Sequence, residues 1–166
     1  MNTPPVLAAL DWLLFDWGDT LMADLPGQTG LMWQWPQVQL IPGALELLQW
    51  LQGRVKIGLT SNASESDEAA IRRALARVGL APLIQQIWCR QHLGCGKGDA
   101  QFWQQLLDDT GSPPSRLLHL GNDPVNDVAM PRRCQLHALW LVEAGGNARP
   151  DAWHHKQLLD WWRVNC

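Results

Sequence analysis

The sequence predicts an α/β fold, a three-layer sandwich in which helices cover both faces of a mainly parallel sheet. Two observations predict it. Short apolar segments of strand length alternate with segments of helical periodicity along the chain, a pattern typical of βαβ units. Of the 166 residues, 46% are hydrophobic and 17% are charged, which is the composition of a globular chain able to bury a core. We therefore expect a single domain spanning residues 1–166.

The five predicted strands are short apolar segments: residues 13–15, 55–59, 83–88, 117–120 and 136–142. Each is too short for a typical helix and is bounded by polar, Gly or Pro residues. The first strand runs directly into Asp16 and a glycine-containing turn, and the second ends at Thr60, Ser61 and Asn62. Because each strand is followed by a helical segment, we expect parallel pairing, with helices covering both faces.

The predicted helices lie between the strands: residues 42–52, 64–78, 99–109, a segment from about 125, and the tail from 150. Pro42 suits the first turn of the first helix. Ser64 with Asp67 resembles a capping box at the start of the second helix, and Gly79 would end that helix. A turn of Gly, Ser and two Pro at residues 111–114 then leads into the fourth strand.

Polar side chains occur where predicted strands end or a helix is about to begin: Asp16, Ser61, Asn62, Lys97, Asn122 and Asp123. Because the carboxyl ends of parallel strands share one edge, we expect these groups to converge. Together they suit phosphoryl chemistry, in which Asp16 attacks phosphorus and forms an aspartyl-phosphate that water hydrolyses. Lys97, Ser61 and the backbone of Asn62 would stabilise the phosphoryl oxygens. Asp16 and the acidic cluster would hold Mg²⁺ through oxygen ligands.

With these residues the chain resembles the haloacid dehalogenase (HAD) superfamily over residues 12–142. The family motifs occur in order: Asp-x-Asp-Gly-Thr is matched in part by residues 16–20, Ser-Asn by 61–62, Gly-Lys by 96–97, and Gly-Asp with a later Asp by 121–127. The resemblance implies a Rossmann-like HAD sheet. It also implies an enzyme, a Mg²⁺-dependent hydrolase acting as a phosphatase on phosphoric monoesters, so that the partner is a phosphorylated substrate.

Two positions depart from the family pattern. Gly18 stands where most family phosphatases carry an acid/base Asp, and Asp19 follows one residue later. The resemblance implies that the Gly18 carbonyl still binds Mg²⁺, and we assign leaving-group protonation to Asp19, with a good leaving group or slow turnover as alternatives. Asn122 stands where a metal-binding Asp is usual. Either Asp123, paired with Asp127, or the amide oxygen of Asn122 would replace it.

The spacing of the motifs leaves no room for a cap domain, which many family members insert after the first motif or between the second and third. The segments from Asp16 to Lys56 and from Asn62 to Lys97 contain only the expected elements. The chain therefore looks like a capless member, resembling the magnesium-dependent phosphatase group. Its open crevice would suit a bulky or macromolecular substrate, or one covered by a neighbouring subunit. The loop at residues 27–35 is the best local substitute for a lid.

Two other functions remain open at this point, and a third is disfavoured. Gly18 and Asn122 fit a catalytically weakened HAD domain used for binding or scaffolding. Gly18 also fits a HAD hydrolase of C–P or C–halogen bonds, although the missing cap and the lack of a Schiff-base lysine argue against it. A phospho-acceptor receiver domain is disfavoured, because its acceptor Asp follows a middle strand whereas Asp16 follows the first.

Charge and hydropathy restrict the partners and the location. The formal net charge is −3 and no block of Lys or Arg occurs, which argues against nucleic-acid binding. No apolar run approaches the roughly 20 residues of a membrane span, and the first residues lack the basic region of a signal peptide. The four cysteines fit a reduced compartment. We therefore expect a cytoplasmic protein without a membrane partner.

Aromatic, Cys and His residues leave further alternatives. The eleven Trp residues are interpreted as core and lid packing, with an exposed patch or a homodimer contact as the alternative. Cys89, His92 and Cys95 have the spacing of a partial zinc site, but no fourth ligand is evident. His119 lies inside a strand and is expected to be a buried core residue rather than a general base. His154 and His155 are expected to face solvent.

Overall fold

The computed structural model describes residues 2–145 and 149–166 and contains a five-stranded sheet with the order β3-β2-β1-β4-β5. The strands are β1 (Trp12–Asp16), β2 (Lys56–Ser61), β3 (Gln86–Cys89), β4 (Leu117–Gly121) and β5 (His137–Trp140). Each neighbouring pair runs parallel. The predicted α/β class is confirmed. The third and fifth strands are shorter than predicted, in part because Leu83 belongs to a 3₁₀ turn that contains Pro82.

The α-helices are α1 (Ala44–Leu51), α2 (Glu68–Arg77), α3 (Arg90–Leu93), α4 (Ala100–Thr110), α5 (Met130–Arg133) and α6 (His155–Asn165). A π-helical segment, Pro124–Ala129, leads directly into α5. The predicted cap of α2 at Ser64 is wrong. Asp67 is the N-cap and accepts a hydrogen bond from the backbone N–H of Ala70 at 2.8 Å, because a carboxylate there also interacts favourably with the helix dipole.

Apolar clusters cover both faces of the sheet, and β1 contributes to each. Leu13 and Phe15 belong to the larger cluster, which the buried sides of α1, α2 and α6 complete. Leu14 belongs to the smaller cluster, which α4 covers. Because successive strand residues point to opposite faces, β1 is buried along its whole length. The strand is therefore held firmly, and so is the residue that ends it.

The topology places one strand end at the centre of the sheet. β1 pairs with β2 on one side and β4 on the other, so the direction in which the chain winds reverses there. Ligands of open α/β sheets bind outside the carboxyl ends of the strands at such a switch point. Asp16, the last residue of β1, occupies this position.

The tryptophans are mainly packing residues. Seven of the eleven are buried: Trp12, Trp17, Trp35, Trp88, Trp103, Trp153 and Trp162. The other four are partly buried. The large apolar side chains that are exposed in the described part of the chain are valines: Val6, Val125 and Val164. An exposed tryptophan patch is thus not formed. Over the same residues, no helix combines the length and the apolar character needed to cross a membrane.

One histidine prediction is confirmed and another is wrong. His119 is fully buried, between the Thr60 hydroxyl and the Asp127 carbonyl at 2.8 Å each. His155 is 1% exposed, and within residues 2–145 and 149–166 neither of its ring nitrogens has a hydrogen-bond partner, contrary to the expected solvent position. His155 begins α6, and the start of that helix packs closely on Gly43. A Cβ atom added to Gly43 would lie only 3.0 Å from His155 Cβ.

These buried histidines predict loss of stability in acid. Burial lowers the pKa of His119 to about 3 and that of His155 to about 4, whereas both titrate near 6.5 in the unfolded chain. Below pH 6.5 the unfolded state therefore binds more protons. We expect the free energy of unfolding to fall by up to about 1.4 kcal/mol per pH unit for each histidine.

Urea denaturation between pH 7.5 and 5 measures this effect. His155→Gln should reduce the pH dependence of the free energy of unfolding by the contribution of one proton, about 1.4 kcal/mol per pH unit. His137→Gln, at an exposed position, should leave that pH dependence unchanged. An identical pH slope for wild type and His155→Gln would show that His155 is protonated in the folded state.

Candidate active site

Three charged side chains meet at the end of β1 and form a buried ion triad of Asp16, Lys97 and Asp127. Lys97 Nζ lies 2.5 Å from Asp16 Oδ1 and 2.6 Å from Asp127 Oδ1. The side chains are 3%, 11% and 1% exposed for Lys97, Asp16 and Asp127, so water screens these charges weakly. Residues predicted to converge from distant parts of the sequence therefore do so at one sheet edge.

The charges in the triad oppose the effect of burial. Burial alone would lower the pKa of Lys97, but the negative charges of Asp16 and Asp127 outweigh it and hold the pKa above its ordinary value. Burial raises the pKa of Asp16, and the adjacent ammonium of Lys97 acts in the opposite direction. Lys97 is thus a permanent cation at neutral pH. A desolvated carboxylate beside it is a better nucleophile than one in water.

Two glycines allow the triad to form. A Cβ on Gly121 would lie 2.4 Å from the Asp127 carboxyl carbon, so a side chain there would displace Asp127. A Cβ on Gly96 would lie 2.8 Å from Asn62 Oδ1, which accepts a hydrogen bond from the backbone N–H of Lys97 at 2.6 Å. The side chain of Asn62 thereby fixes the backbone that carries Lys97.

Thr20 is a residue of this site to which the sequence analysis assigned no function. Its side chain is fully buried, and its hydroxyl donates to Asp16 Oδ2 at 3.0 Å. Lys97 and Thr20 therefore orient the two carboxylate oxygens of Asp16 from different sides. The four-residue separation of Asp16 and Thr20 was the available signal, since the tight turn after β1 returns the chain to its own strand end.

The segment after β4 places Asn122, rather than the Asp123 carboxylate, beside Asp16. Both Asp123 oxygens accept hydrogen bonds from its own turn, from the N–H groups of Val125 and Asn126 and from the Asn126 side chain. Partial burial would raise the pKa of Asp123, but these hydrogen bonds hold it below its ordinary value. The Asn122 backbone is fixed by the Trp140 indole, which donates to its carbonyl at 2.8 Å.

A cavity of about 330 Å³ opens beside Asp16. Ser61 and Asn62, at the end of β2, line it together with Met32 and Trp35 from the predicted lid loop at residues 27–35. Ser61 is only 2% exposed, and its hydroxyl accepts from the backbone N–H of Ala63 at 3.1 Å. A group bound in this cavity would thus contact the Asp16 carboxylate from the side opposite the protein interior.

The loop over the cavity is fastened to α2 by Arg77. The guanidinium of Arg77 donates to the carbonyls of Trp33, Trp35 and Pro36, at distances of 2.5–3.3 Å. The indole nitrogen of Trp35 in turn donates to the Thr29 carbonyl at 3.0 Å. These four hydrogen bonds therefore hold residues 29–36 in a defined position.

The turn after β1 and the segment that follows it carry two carboxylates, Asp19 and Asp24, and only that of Asp24 lines the cavity. Asp19 has a left-handed backbone (φ 56°), is exposed, and accepts a hydrogen bond from the Asp24 N–H at 2.8 Å. It does not line the cavity, whereas Asp24 and Glu65 do. Gly18 lies at the cavity wall with open space around its Cα.

A hard divalent cation finds oxygen donors at this site. Asp16 and Asp127 supply carboxylates, Gly18 a backbone carbonyl and Asn122 a side-chain amide, the ligand types that Mg²⁺ prefers. Within residues 2–145 and 149–166, no three His, Cys, Asp or Glu side chains are grouped as for a metal. A cation here would therefore need the carbonyl and amide oxygens as well as the two carboxylates.

The lack of such a group among the described residues also argues against the alternative zinc site. Cys89, His92 and Cys95 are not brought together as a metal-binding group. Cys89 is fully buried in the apolar core, and burial raises the pKa of its thiol, which disfavours the thiolate that zinc requires.

Comparison with known proteins gives a consistent result. The family model for haloacid dehalogenase-like hydrolases matches residues 18–135. Pyrimidine 5'-nucleotidase YjjG of Escherichia coli (strain K12) is 26% identical over 102 residues, which are 61% of this chain and 44% of that protein. The chain thus spans less than half the length of this curated relative.

Solved structures share the fold. An uncharacterized protein from Listeria monocytogenes serotype 4b is 24% identical, with a TM-score of 0.75, and the match covers 94% of this chain and 97% of that one. The HAD-hydrolase YfnB from Bacillus subtilis, solved bound to magnesium, is 14% identical with a TM-score of 0.70, covering 93% and 98%.

Proposed function

Since the chain belongs to the haloacid dehalogenase-like hydrolase family, we propose that it is a Mg²⁺-dependent phosphatase that cleaves phosphomonoesters through an aspartyl-phosphate on Asp16. The observation that carries the proposal is the position of the Asp16 carboxylate. It ends the central strand, lines the cavity, and is oriented from behind by Lys97 and Thr20. A fixed carboxylate facing a cavity is the arrangement that nucleophilic catalysis needs.

The proposed reaction has two steps. A carboxylate oxygen of Asp16 bonds to phosphorus as the bond to the ester oxygen breaks, and the ester oxygen leaves with a proton. Water then attacks the aspartyl-phosphate and releases inorganic phosphate and the free carboxylate. Through both steps the Ser61 hydroxyl, the Asn62 backbone N–H and the Lys97 ammonium would stabilise the negative phosphoryl oxygens.

Mg²⁺, held by Asp16, Asp127, the Gly18 carbonyl and Asn122, would supply further positive charge to those oxygens. The donor chemistry of the site supports this assignment, and a magnesium-bound protein shares the fold. Asn122 is the favoured of the two predicted ligands, because the inward atom of its side-chain amide lies 3.0 Å from Asp16 Oδ2.

The acid that protonates the leaving group is proposed to be a carboxyl of the turn after β1. Asp19 was the predicted group, but its carboxylate is oriented towards the backbone of Asp24. Asp24 lines the cavity and is the alternative. Asp19→Ala and Asp24→Ala would separate the two, because loss of the acid should slow poor leaving groups most.

A screen of phosphomonoesters with Mg²⁺ and with EDTA tests the function. We expect release of inorganic phosphate with Mg²⁺, and a rate of release that is lower by about a hundredfold or more with EDTA. The panel should include an aryl phosphate and nucleoside monophosphates, because one relative is named a pyrimidine 5'-nucleotidase. Absence of turnover on every ester in the presence of Mg²⁺ would contradict the proposal.

One other function has specific support. Gly18 and Asn122 occupy positions where the family has Asp residues, as expected of a weakened domain that binds a phosphorylated ligand without turning it over. Saturable binding of a phosphomonoester, lost in Asp16→Asn and never followed by phosphate release, would favour this candidate. The cytoplasmic location, the absence of a nucleic-acid partner, a bulky substrate and a homodimer remain predictions.

A further inference from the structure

The side chain of Asn122 is surrounded by oxygen atoms. With its amide nitrogen facing inward, that nitrogen lies 3.0 Å from Asp16 Oδ2, 3.2 Å from the Gly18 carbonyl and 3.2 Å from Thr20 Oγ1. Each of these three oxygens can accept a hydrogen bond, and the two protons of the amide nitrogen allow two full hydrogen bonds at a time. The single Thr20 hydroxyl proton goes to Asp16, which leaves a lone pair on the Thr20 oxygen for the amide.

The opposite orientation of the amide, with its oxygen facing inward, is favourable only when a cation lies among the surrounding oxygens. A half-turn of the side chain brings Asn122 Oδ1 to the same position, where it faces the Asp16 carboxylate and the Gly18 carbonyl. The Thr20 hydroxyl can donate to it there at 3.2 Å, but only by giving up its hydrogen bond to Asp16. Such oxygens repel one another unless a cation lies among them. Adjacent oxygen ligands of octahedral Mg²⁺ stand about 2.9 Å apart, close to the spacing of this group.

We infer that the Asn122 amide alternates between two functions: its nitrogen replaces the cation when the site is empty, and its oxygen becomes a ligand when a divalent cation binds. The part of this inference that concerns the cation-bound site rests on the proposed function, whereas the part that concerns the empty site does not. Without a cation, the two carboxyls of Asp16 and Asp127 share the single ammonium of Lys97. An Asp at position 122 would add a third, whereas the amide adds none and donates hydrogen bonds.

Asn122→Asp is expected to bind Mg²⁺ more tightly than the wild type but to be less stable without it. Asn122→Asp should lower the thermal midpoint in EDTA by about 5 °C or more, because hydrogen bonds are replaced by charge repulsion. The same variant should bind Mg²⁺ about tenfold more tightly or better, because a carboxylate is the stronger ligand. Its midpoint should therefore rise more steeply with Mg²⁺ than that of the wild type.

Thermal unfolding in EDTA and over a Mg²⁺ titration measures both effects. Asn2→Asp is the matched control, since it adds the same charge at an exposed position outside the helices and strands and should change neither. Equal midpoints of Asn122→Asp and Asn2→Asp in EDTA would overturn the inference, and so would an unchanged Mg²⁺ affinity. Mg²⁺ binding of the predicted pattern without phosphatase turnover would support this inference and contradict the proposed function.

A measurement on the wild type makes the test independent of whether the variant folds. In the metal-free protein the Asn122 side-chain N–H groups should be protected from solvent exchange in nuclear magnetic resonance spectra, and Mg²⁺ should remove the protection as the amide turns. The same exchange rate with and without saturating Mg²⁺ would show that the amide does not turn.

Discussion

Asp16→Asn is expected to reduce phosphatase turnover by about 10⁴-fold or more while the protein remains folded. The amide oxygen of Asn is a poor nucleophile, so no covalent intermediate forms, and removal of a nucleophile is among the largest single effects in enzymes. The fold should survive, because Asn has nearly the volume of Asp. Lys97 also retains Asp127 as its ion-pair partner at 2.6 Å. Steady-state kinetics on an aryl phosphate, with thermal unfolding in parallel, make the measurement.

Asp108→Asn is the matched control for this variant. Asp108 is an exposed residue of α4 whose carboxylate accepts only a hydrogen bond from Gln104, one turn away on the same helix. It should keep wild-type turnover. Full activity in Asp16→Asn would exclude Asp16 as the nucleophile and remove the basis of the proposed mechanism.

The second large effect is expected from Lys97→Met, which should reduce the free energy of unfolding by about 3–5 kcal/mol at neutral pH. Methionine fills the space of the lysine stem, but it leaves Asp16 and Asp127 as adjacent buried carboxylates with no counter-charge. Without the ammonium, burial would hold the pKa of Asp16 still further above its ordinary value. Groups of this kind stabilise the fold below their unfolded pKa and lose that contribution as pH rises through the folded value.

Lys97→Met should therefore gain stability relative to the wild type as the pH falls from 7.5 to 5, and urea denaturation at both values measures the difference. Adding Asp16→Asn and Asp127→Asn should restore much of the stability, because no unpaired charge remains. Lys156→Met is the control, since that side chain is 76% exposed and its ion pair is on the surface. A loss below about 1 kcal/mol in Lys97→Met would mean that water reaches the carboxylates.

The architecture followed from the sequence because strand positions depend on local patterns. The apolar segment that ends at Asp16 indicated β1, and alternation with helices indicated the parallel sheet. The convergence of Asp16 with Lys97 was expected because parallel strands end on one edge, and because Lys97 lies in a loop just before a helix and matches a family motif. Neither inference needed knowledge of side-chain orientation.

What the sequence did not reveal depends on how side chains use their hydrogen-bonding groups. Asp123 remains a candidate cation ligand, but the sequence did not reveal that the N–H groups of the next turn donate to its carboxylate. His155 looked like a surface residue because it begins a polar tail, yet packing of α6 on Gly43 buries it. The function of Thr20 depends on a turn that places its hydroxyl 3.0 Å from Asp16.

The attachment of the lid loop to Arg77 has a consequence for selectivity. The other wall of the cavity includes Ala63, Glu65 and Ser66, which lead directly into α2, so one helix anchors both sides of the entrance. We expect an entrance held on both sides to keep a constant width, so that it would admit substrates according to their diameter before any chemical step.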